Sequence, residues 1–144
     1  MRIFKFGGAS VKDADGIKNV YDVLQKAGYE DVLLVVSAMG KTTNALEVVI
    51  KNYFEKSNEL NSSVQEIKKY HNQIVLDLFE NENDPVFAAV NEHFSDLEYF
   101  LAHNKSPNYS FVYDQIVSYG ELISTTILSH FMNCLLYTSD AADE

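Results

Sequence analysis

Two hydrophobic rhythms divide this chain. Near its start, Ile3-Phe4-Lys5-Phe6 is a short β-prone run that stops at Gly7-Gly8, the pattern of a strand feeding a tight turn. Ile17, Val20, Tyr21, Val23 and Leu24 then recur at helical spacing, with Asp13 or Asp15 placed to cap the helix and Gly28 to end it. Val32-Leu33-Leu34-Val35-Val36 is a continuous apolar run, as expected of a strand buried on both faces of a parallel sheet. Strand, helix and strand at this spacing predict a right-handed βαβ unit.

Beyond it the rhythm is helical throughout. Thr42 or Thr43 is positioned to cap a helix carrying Leu46, Val49, Ile50, Tyr53 and Phe54. A second stripe (Val64, Ile67, Ile74, Val75, Leu78) predicts a helix from Glu59 to about Phe79, and Asn81–Asp84 breaks it. Pro85 suits the first turn of the next helix, whose stripe is Val86, Val90, Phe94, Leu97 and Leu101. After a loop at Asn104–Asn108, a final helical region covers about Tyr109–Asn133, with a kink or interruption expected at Gly120. The acidic run Glu80–Asp84 reads as a solvated loop.

The C-terminal residues break this logic. The stretch from Cys134 to Glu144 follows the last stripe without a cap, and it resembles a translated sequencing-library adapter: the transposon-end sequence TGT CTC TTA TAC ACA TCT encodes Cys-Leu-Leu-Tyr-Thr-Ser. Residues 134–144 are therefore read as non-native, and residues 1–133 as the N-terminal part of a truncated open reading frame. The single cysteine, Cys134, falls in that tail, rules out an internal disulfide framework and fits a reducing cytoplasm.

Composition narrows the function classes. The chain has 144 residues, 47% hydrophobic and 22% charged, with 11 basic against 21 acidic side chains and a formal net charge of -10. Such acidity argues against a general nucleic-acid binder or a partner of anionic membranes. No apolar run approaches the roughly 18 residues of a transmembrane helix.

Candidate chemistry lies at the strand ends, where open α/β sheets place ligands. In Lys5-Phe6-Gly7-Gly8-Ala9-Ser10, two glycines allow a sharp turn and close backbone approach, and the N–H groups of such a turn can face phosphate oxygens. Lys5 adds a positive charge and Ser10 a hydroxyl. A lysine inside an apolar strand would be costly to bury without an anion, which favours a phosphate partner over a bare structural turn. Neither standard nucleotide motif is present: Gly40-Lys41-Thr42 imitates the end of a P-loop, but its first glycine would fall at Val35, and no G-x-G-x-x-G follows either strand. The second strand ends in Ser37-Ala38-Met39-Gly40-Lys41-Thr42-Thr43-Asn44, whose hydroxyl and amide side chains either orient a polar substrate or cap the next helix. In Ser118-Tyr119-Gly120-Glu121, a carboxylate after a glycine near a helix start is suited to a substrate ammonium. His71, His93, His103 and His130 lack metal-ligand spacing and read as core or surface residues.

Lys5–Ser10, Ser37–Asn44 and Ser118–Glu121, in this order and with a long helical segment between the second and third, resemble the aspartokinase branch of the amino-acid kinase family. The family patterns are K-F-G-G-[TS]-S, S-A-x-x-x-x-T-N and S-x-G-E; Ala9 departs from the first and removes one hydroxyl. The resemblance implies an α/β, three-layer α/β/α (carbamate kinase-like) fold, incomplete here and carrying a helical insertion. It also implies transfer of the ATP γ-phosphoryl group, with Mg2+, to the side-chain carboxylate of L-aspartate, giving 4-phospho-L-aspartate in the first step of lysine, threonine and methionine biosynthesis. Carried over, Lys5 is catalytic and contacts the β/γ-phosphates, while Gly7, Gly8 and Ser10 form the phosphate-facing turn. Ser37 lies beside the reacting groups, and Thr43 and Glu121 hold the aspartate. No protein metal ligand is implied. The full-length protein would be a cytoplasmic homo-oligomer binding neither nucleic acid nor membrane, and the 144-residue fragment would be inactive. The alternatives are another member of the superfamily, or a non-catalytic helical interaction module.

Overall fold

The computed structural model describes the backbone of residues 1–143 and the side chains of residues 1–135. Strand β1 (Arg2–Phe6) passes through a single 3-10 turn (Gly8–Val11) into helix α1 (Ala14–Ala27), and β2 (Val32–Val36) follows. Asp13 caps α1, its carboxylate accepting the Gly16 N–H at 2.8 Å. Gly28 ends the helix at φ +83°, a conformation that favours glycine. The Arg2 guanidinium donates to the carbonyls of Ala27 (2.8 Å) and Gly28 (2.7 Å), so the first strand also caps the C-terminus of α1.

The strands pair in parallel, with Arg2 opposite Val32 and Phe6 opposite Val36. Phe4, Phe6, Val32, Leu34 and Val36 pack against the core. The alternate residues face outward: Leu33 is 49% exposed, Val35 41% and Ile3 66%. The expected burial of β2 on both faces is therefore not met. The core residues of the helices gather on one side of the sheet, and no element among the described residues covers the other.

The rest is helical: α2 (Thr42–Phe54), α3 (Leu60–Leu78), α4 (Pro85–His103) and α5 (Tyr109–Asp143). Helix α2 packs on α3 and α5, and α4 on α5, around Leu46, Ile50, Phe94, Leu97, Ile116, Ile123 and Ile127. The apolar stripes read from the sequence supply most of this core. Asp84 caps α4 by accepting the Val86 N–H, with Pro85 in the first turn.

Three expectations about helix boundaries need correction. Neither Thr42 nor Thr43 caps α2: Lys41 occupies the cap position without a side-chain bond, and the Thr42 hydroxyl donates to the Met39 carbonyl at 2.5 Å from inside the first turn. Gly120 does not interrupt α5, which runs through it. A Cβ there would lie 3.0 Å from Ala38 Cβ, 3.1 Å from Leu46 Cδ1 and 3.4 Å from Thr42 Cγ2, so this glycine permits close packing rather than a bend. Finally, α5 continues past Asn133 to Asp143, a stretch without Gly or Pro to stop it. Within the tail set aside on sequence grounds (134–144), the side chains from 136 onward lie outside the described residues.

Candidate functional site

Parallel pairing in register brings the C-terminal ends of both strands to one edge, so Gly7-Gly8 and Ser37-Ala38 emerge side by side. Backbone bonds join them: the Ser37 N–H donates to the Phe6 carbonyl (3.0 Å) and the Gly40 N–H to the Gly8 carbonyl (2.9 Å). The Ser10 N–H donates to the Gly7 carbonyl (3.0 Å) and closes the 3-10 turn.

The two glycines have different physical reasons. A Cβ at Gly8 would lie 2.7 Å from the Gly40 carbonyl oxygen and 2.8 Å from that of Ala38. The crossing of two backbones therefore demands glycine at this position. Gly7 has an ordinary extended backbone (φ -79°, ψ 173°), and a Cβ there would meet nothing within 4 Å. Neither conformation nor packing within the described residues requires a glycine at position 7.

Lys5 stands on the outer face of β1, opposite Val35, and it is exposed. The expectation of a buried lysine is thus corrected: alternation along the strand turns Lys5 away from the helices. Its ammonium makes no ion pair among the described residues. Ser10 is exposed on the 3-10 turn, and Thr43 is half-buried in the first turn of α2.

Glu121 is exposed, but it does not sit near a helix start. Helix α5 begins at Tyr109, so the amides around Glu121 belong to the helix interior and are not free to hold its carboxylate. What the helix does supply is location. Gly120 presses against Ala38 and Thr42, bringing the third motif onto the second. The Ser118 hydroxyl turns back to the Gln115 carbonyl (2.7 Å).

Sequence reasoning missed two residues that fix this edge. Ser124, fully buried, donates its hydroxyl to the Ser37 carbonyl at 2.7 Å across 87 residues of chain. Its signal was a small polar residue between Ile123 and Ile127 on a buried stripe. Tyr70, from α3, donates its hydroxyl to the Lys12 carbonyl beside the 3-10 turn. Burial, and secondarily the Asp13 carboxylate, push the Tyr70 phenol above its ordinary pKa and keep it a donor. Tyr70 also lies against Gly40, whose φ of +57° favours glycine and where a Cβ would come within 2.6 Å of the phenol oxygen.

His71 also reaches the second motif. It is fully buried, and its Nδ1–H donates to the Ile67 carbonyl at 2.8 Å, which leaves Nε2 3.4 Å from Thr42 Oγ1. Burial lowers its pKa from the ordinary histidine value, partly opposed by the backbone bond. The expected structural roles of the histidines extend to His93, paired with the Thr126 hydroxyl at 2.8 Å, and His103, stacked on Tyr99. No group of three His, Cys, Asp or Glu side chains able to hold a metal ion occurs among the described residues. No helix among them is long and apolar enough to cross a membrane.

The edge thus combines an open backbone turn, an uncommitted ammonium and several hydroxyls, a set suited to anions. Comparison with known proteins gives it a context. Aspartokinase 1 of Arabidopsis thaliana (chloroplastic) is 32% identical over 136 residues, covering 92% of this chain and 23% of the relative. Bifunctional aspartokinase/homoserine dehydrogenase 2 of Escherichia coli is 27% identical over 132 residues, covering 92% of this chain and 16% of the relative. The chain therefore spans less than a quarter of either relative. Among solved structures, E. coli aspartokinase III in complex with lysine and aspartate (T-state) superposes with a TM-score of 0.75 at 24% identity, over 91% of this chain and 28% of that one. The same enzyme with aspartate and ADP (R-state) gives 0.73 at 22% identity, over 92% and 29%. These two likenesses establish the fold, the α/β architecture of which this chain carries a two-stranded portion. The model of the Amino acid kinase family matches residues 1–142, nearly the whole length, and the chain belongs to that family.

Proposed function

We propose that this chain is the N-terminal part of an aspartate kinase, in which the side-chain carboxylate of L-aspartate attacks the γ-phosphorus of ATP. The bond to the β,γ-bridging oxygen breaks, ADP leaves, and 4-phospho-L-aspartate forms. The observation that carries the reading is Gly7, a glycine that neither the backbone conformation nor the packing explains and whose Cβ position faces open space. In this reading Gly7, Gly8 and Ser10 face the phosphates, and Lys5 neutralises charge on the β/γ-phosphates as the phosphoryl group moves. Ser37 stands beside the reacting groups, Thr43 orients the aspartate, and Glu121 takes its ammonium. Phosphoryl transfer suits such a site, because the protein's task is positioning and electrostatic stabilisation. In this reading magnesium arrives on the nucleotide, where it screens the phosphate charges.

Because the relatives are several times longer, the reading assigns turnover to the longer protein and none to the 144-residue chain. The test is an acyl-phosphate assay, trapping the product as the hydroxamate, on the protein expressed from its uninterrupted gene. The expected result is aspartate-dependent hydroxamate, lost by a factor of about 10² or more in Lys5→Met while the thermal midpoint is kept. Full activity in Lys5→Met, or a different preferred acceptor, would overturn the assignment.

A further inference from the structure

A cavity of about 520 Å³ opens behind the β2–α2 loop, between the start of α1, the first turn of α2 and helix α3. Gly40, Thr42 and Tyr70 of the edge described above form one wall of it, whereas Gly7, Ser37, Thr43 and Glu121 do not line it. Its size lies in the range of small-ligand sites.

The lining is chemically specific. Ala45 and Ile67 give it apolar surface, and the Tyr70 ring forms part of its wall. Lys12 and Lys41 bring two ammonium groups and Glu66 a carboxylate. None of these three charged side chains has an ion pair or side-chain hydrogen bond among the described residues. Asp13, also on the wall, already accepts the Gly16 N–H. A purely anionic ligand would meet the two carboxylates, and a purely cationic one the two lysines. Uncommitted charges of both signs beside apolar surface suit a ligand that carries both signs and an apolar body.

The cavity is also wired to the glycine corner. Tyr70 donates to the Lys12 carbonyl and lies against Gly40. Gly40 in turn donates its N–H to the Gly8 carbonyl. A ligand that moves or fixes Tyr70 therefore acts on Gly8 through two contacts.

We infer that this cavity binds a small amphiphilic zwitterion, with its carboxylate at Lys12 and Lys41, its ammonium at Glu66 and its apolar body on Ala45 and Ile67, and that Gly8 senses the occupancy. The binding stands on the cavity alone; any effect on phosphoryl transfer rests on the phosphate reading of the corner.

The test uses the isotopically labelled chain and three matched probes: L-leucine, 4-methylpentanoate (no ammonium) and 3-methylbutylamine (no carboxylate). Backbone amide shifts are followed at Gly40 and Gly8. L-Leucine is expected to give saturable shifts at both, and each singly charged probe to bind about tenfold more weakly. Lys41→Gln and Glu66→Gln, both at exposed positions, are each expected to weaken L-leucine about tenfold without altering the rest of the spectrum. Absence of saturable L-leucine shifts, or equal binding of either analogue, would overturn the site. Shifts at Gly40 without any at Gly8 would overturn the sensing. Lys5→Met, which tests the phosphate corner, is expected to leave L-leucine binding unchanged, so the two readings fail independently.

Discussion

The adjacent glycines of the first turn offer a sharp separation of folding from function. Alanine at Gly8 would put its Cβ 2.7 and 2.8 Å from two carbonyl oxygens, where ordinary contact begins at 3.4 Å. Relief requires a backbone displacement of roughly 0.6 Å or more in a packed region, at a cost of about 1–3 kcal/mol. The same displacement pulls on the 2.9 Å bond from Gly40 to the Gly8 carbonyl, worth about another 1 kcal/mol. Gly8→Ala should therefore destabilise the chain by about 2–4 kcal/mol. With a urea slope of about 1–3 kcal/mol per molar, its unfolding midpoint should fall by about 0.7 M or more. Gly7→Ala meets open space at an unstrained φ, so it should leave stability unchanged or raise it by about 0.4–1 kcal/mol through the unfolded chain. In the longer protein the same Gly7→Ala variant should nonetheless lose hydroxamate formation at least tenfold, because its methyl group enters the space assigned to phosphate. Equal destabilisation by the two alanines would refute the described geometry of the corner. A stable and fully active Gly7→Ala would refute the assignment of that space.

Ser124→Ala leaves the Ser37 carbonyl without its donor in a buried setting, so a loss of about 1–3 kcal/mol is expected in urea unfolding. Burial lowers the His71 pKa in the folded chain, so as pH falls the unfolded chain takes up its proton first, below about pH 6.5. Its contribution to stability is thus complete above that pH and declines as pH falls, with a limiting slope of about 1.4 kcal/mol per pH unit. Thermal unfolding of His71→Gln should show a smaller loss of stability than the parent chain as pH falls below about 6.5. Phe94→Ala, which empties the fully buried centre of the helical core, should cost about 3–5 kcal/mol by denaturant titration.

Much of the fold was legible because a single periodicity governs each segment. The stripes of α3 and α4 and the parallel strand pair follow directly from spacing, and Pro85 and Gly28 mark boundaries by their own backbone chemistry. Burial of β2 was not legible, since an apolar run does not report whether a second layer covers it; Leu33 and Val35 face outward here. Lys5 was misjudged for the same reason: its neighbours in sequence are apolar, but its neighbours on the strand face are exposed. Gly120 looked like a helix breaker because local propensity was weighed without its partner Ala38, which is remote in sequence. The links from Ser124 to Ser37 and from Tyr70 to Lys12 are long-range and polar, and no periodicity encodes them.

The hydroxyl bond from α5 to the end of β2 also bears on the order of assembly. A ribosome releases residue 37 long before residue 124, so the strand end emerges with its carbonyl unclaimed while the intervening helices are still being made. The βαβ unit can pair locally and early, but its rim is locked only when α5 docks. The part of the molecule assigned to chemistry consequently becomes rigid later than the βαβ unit that carries it.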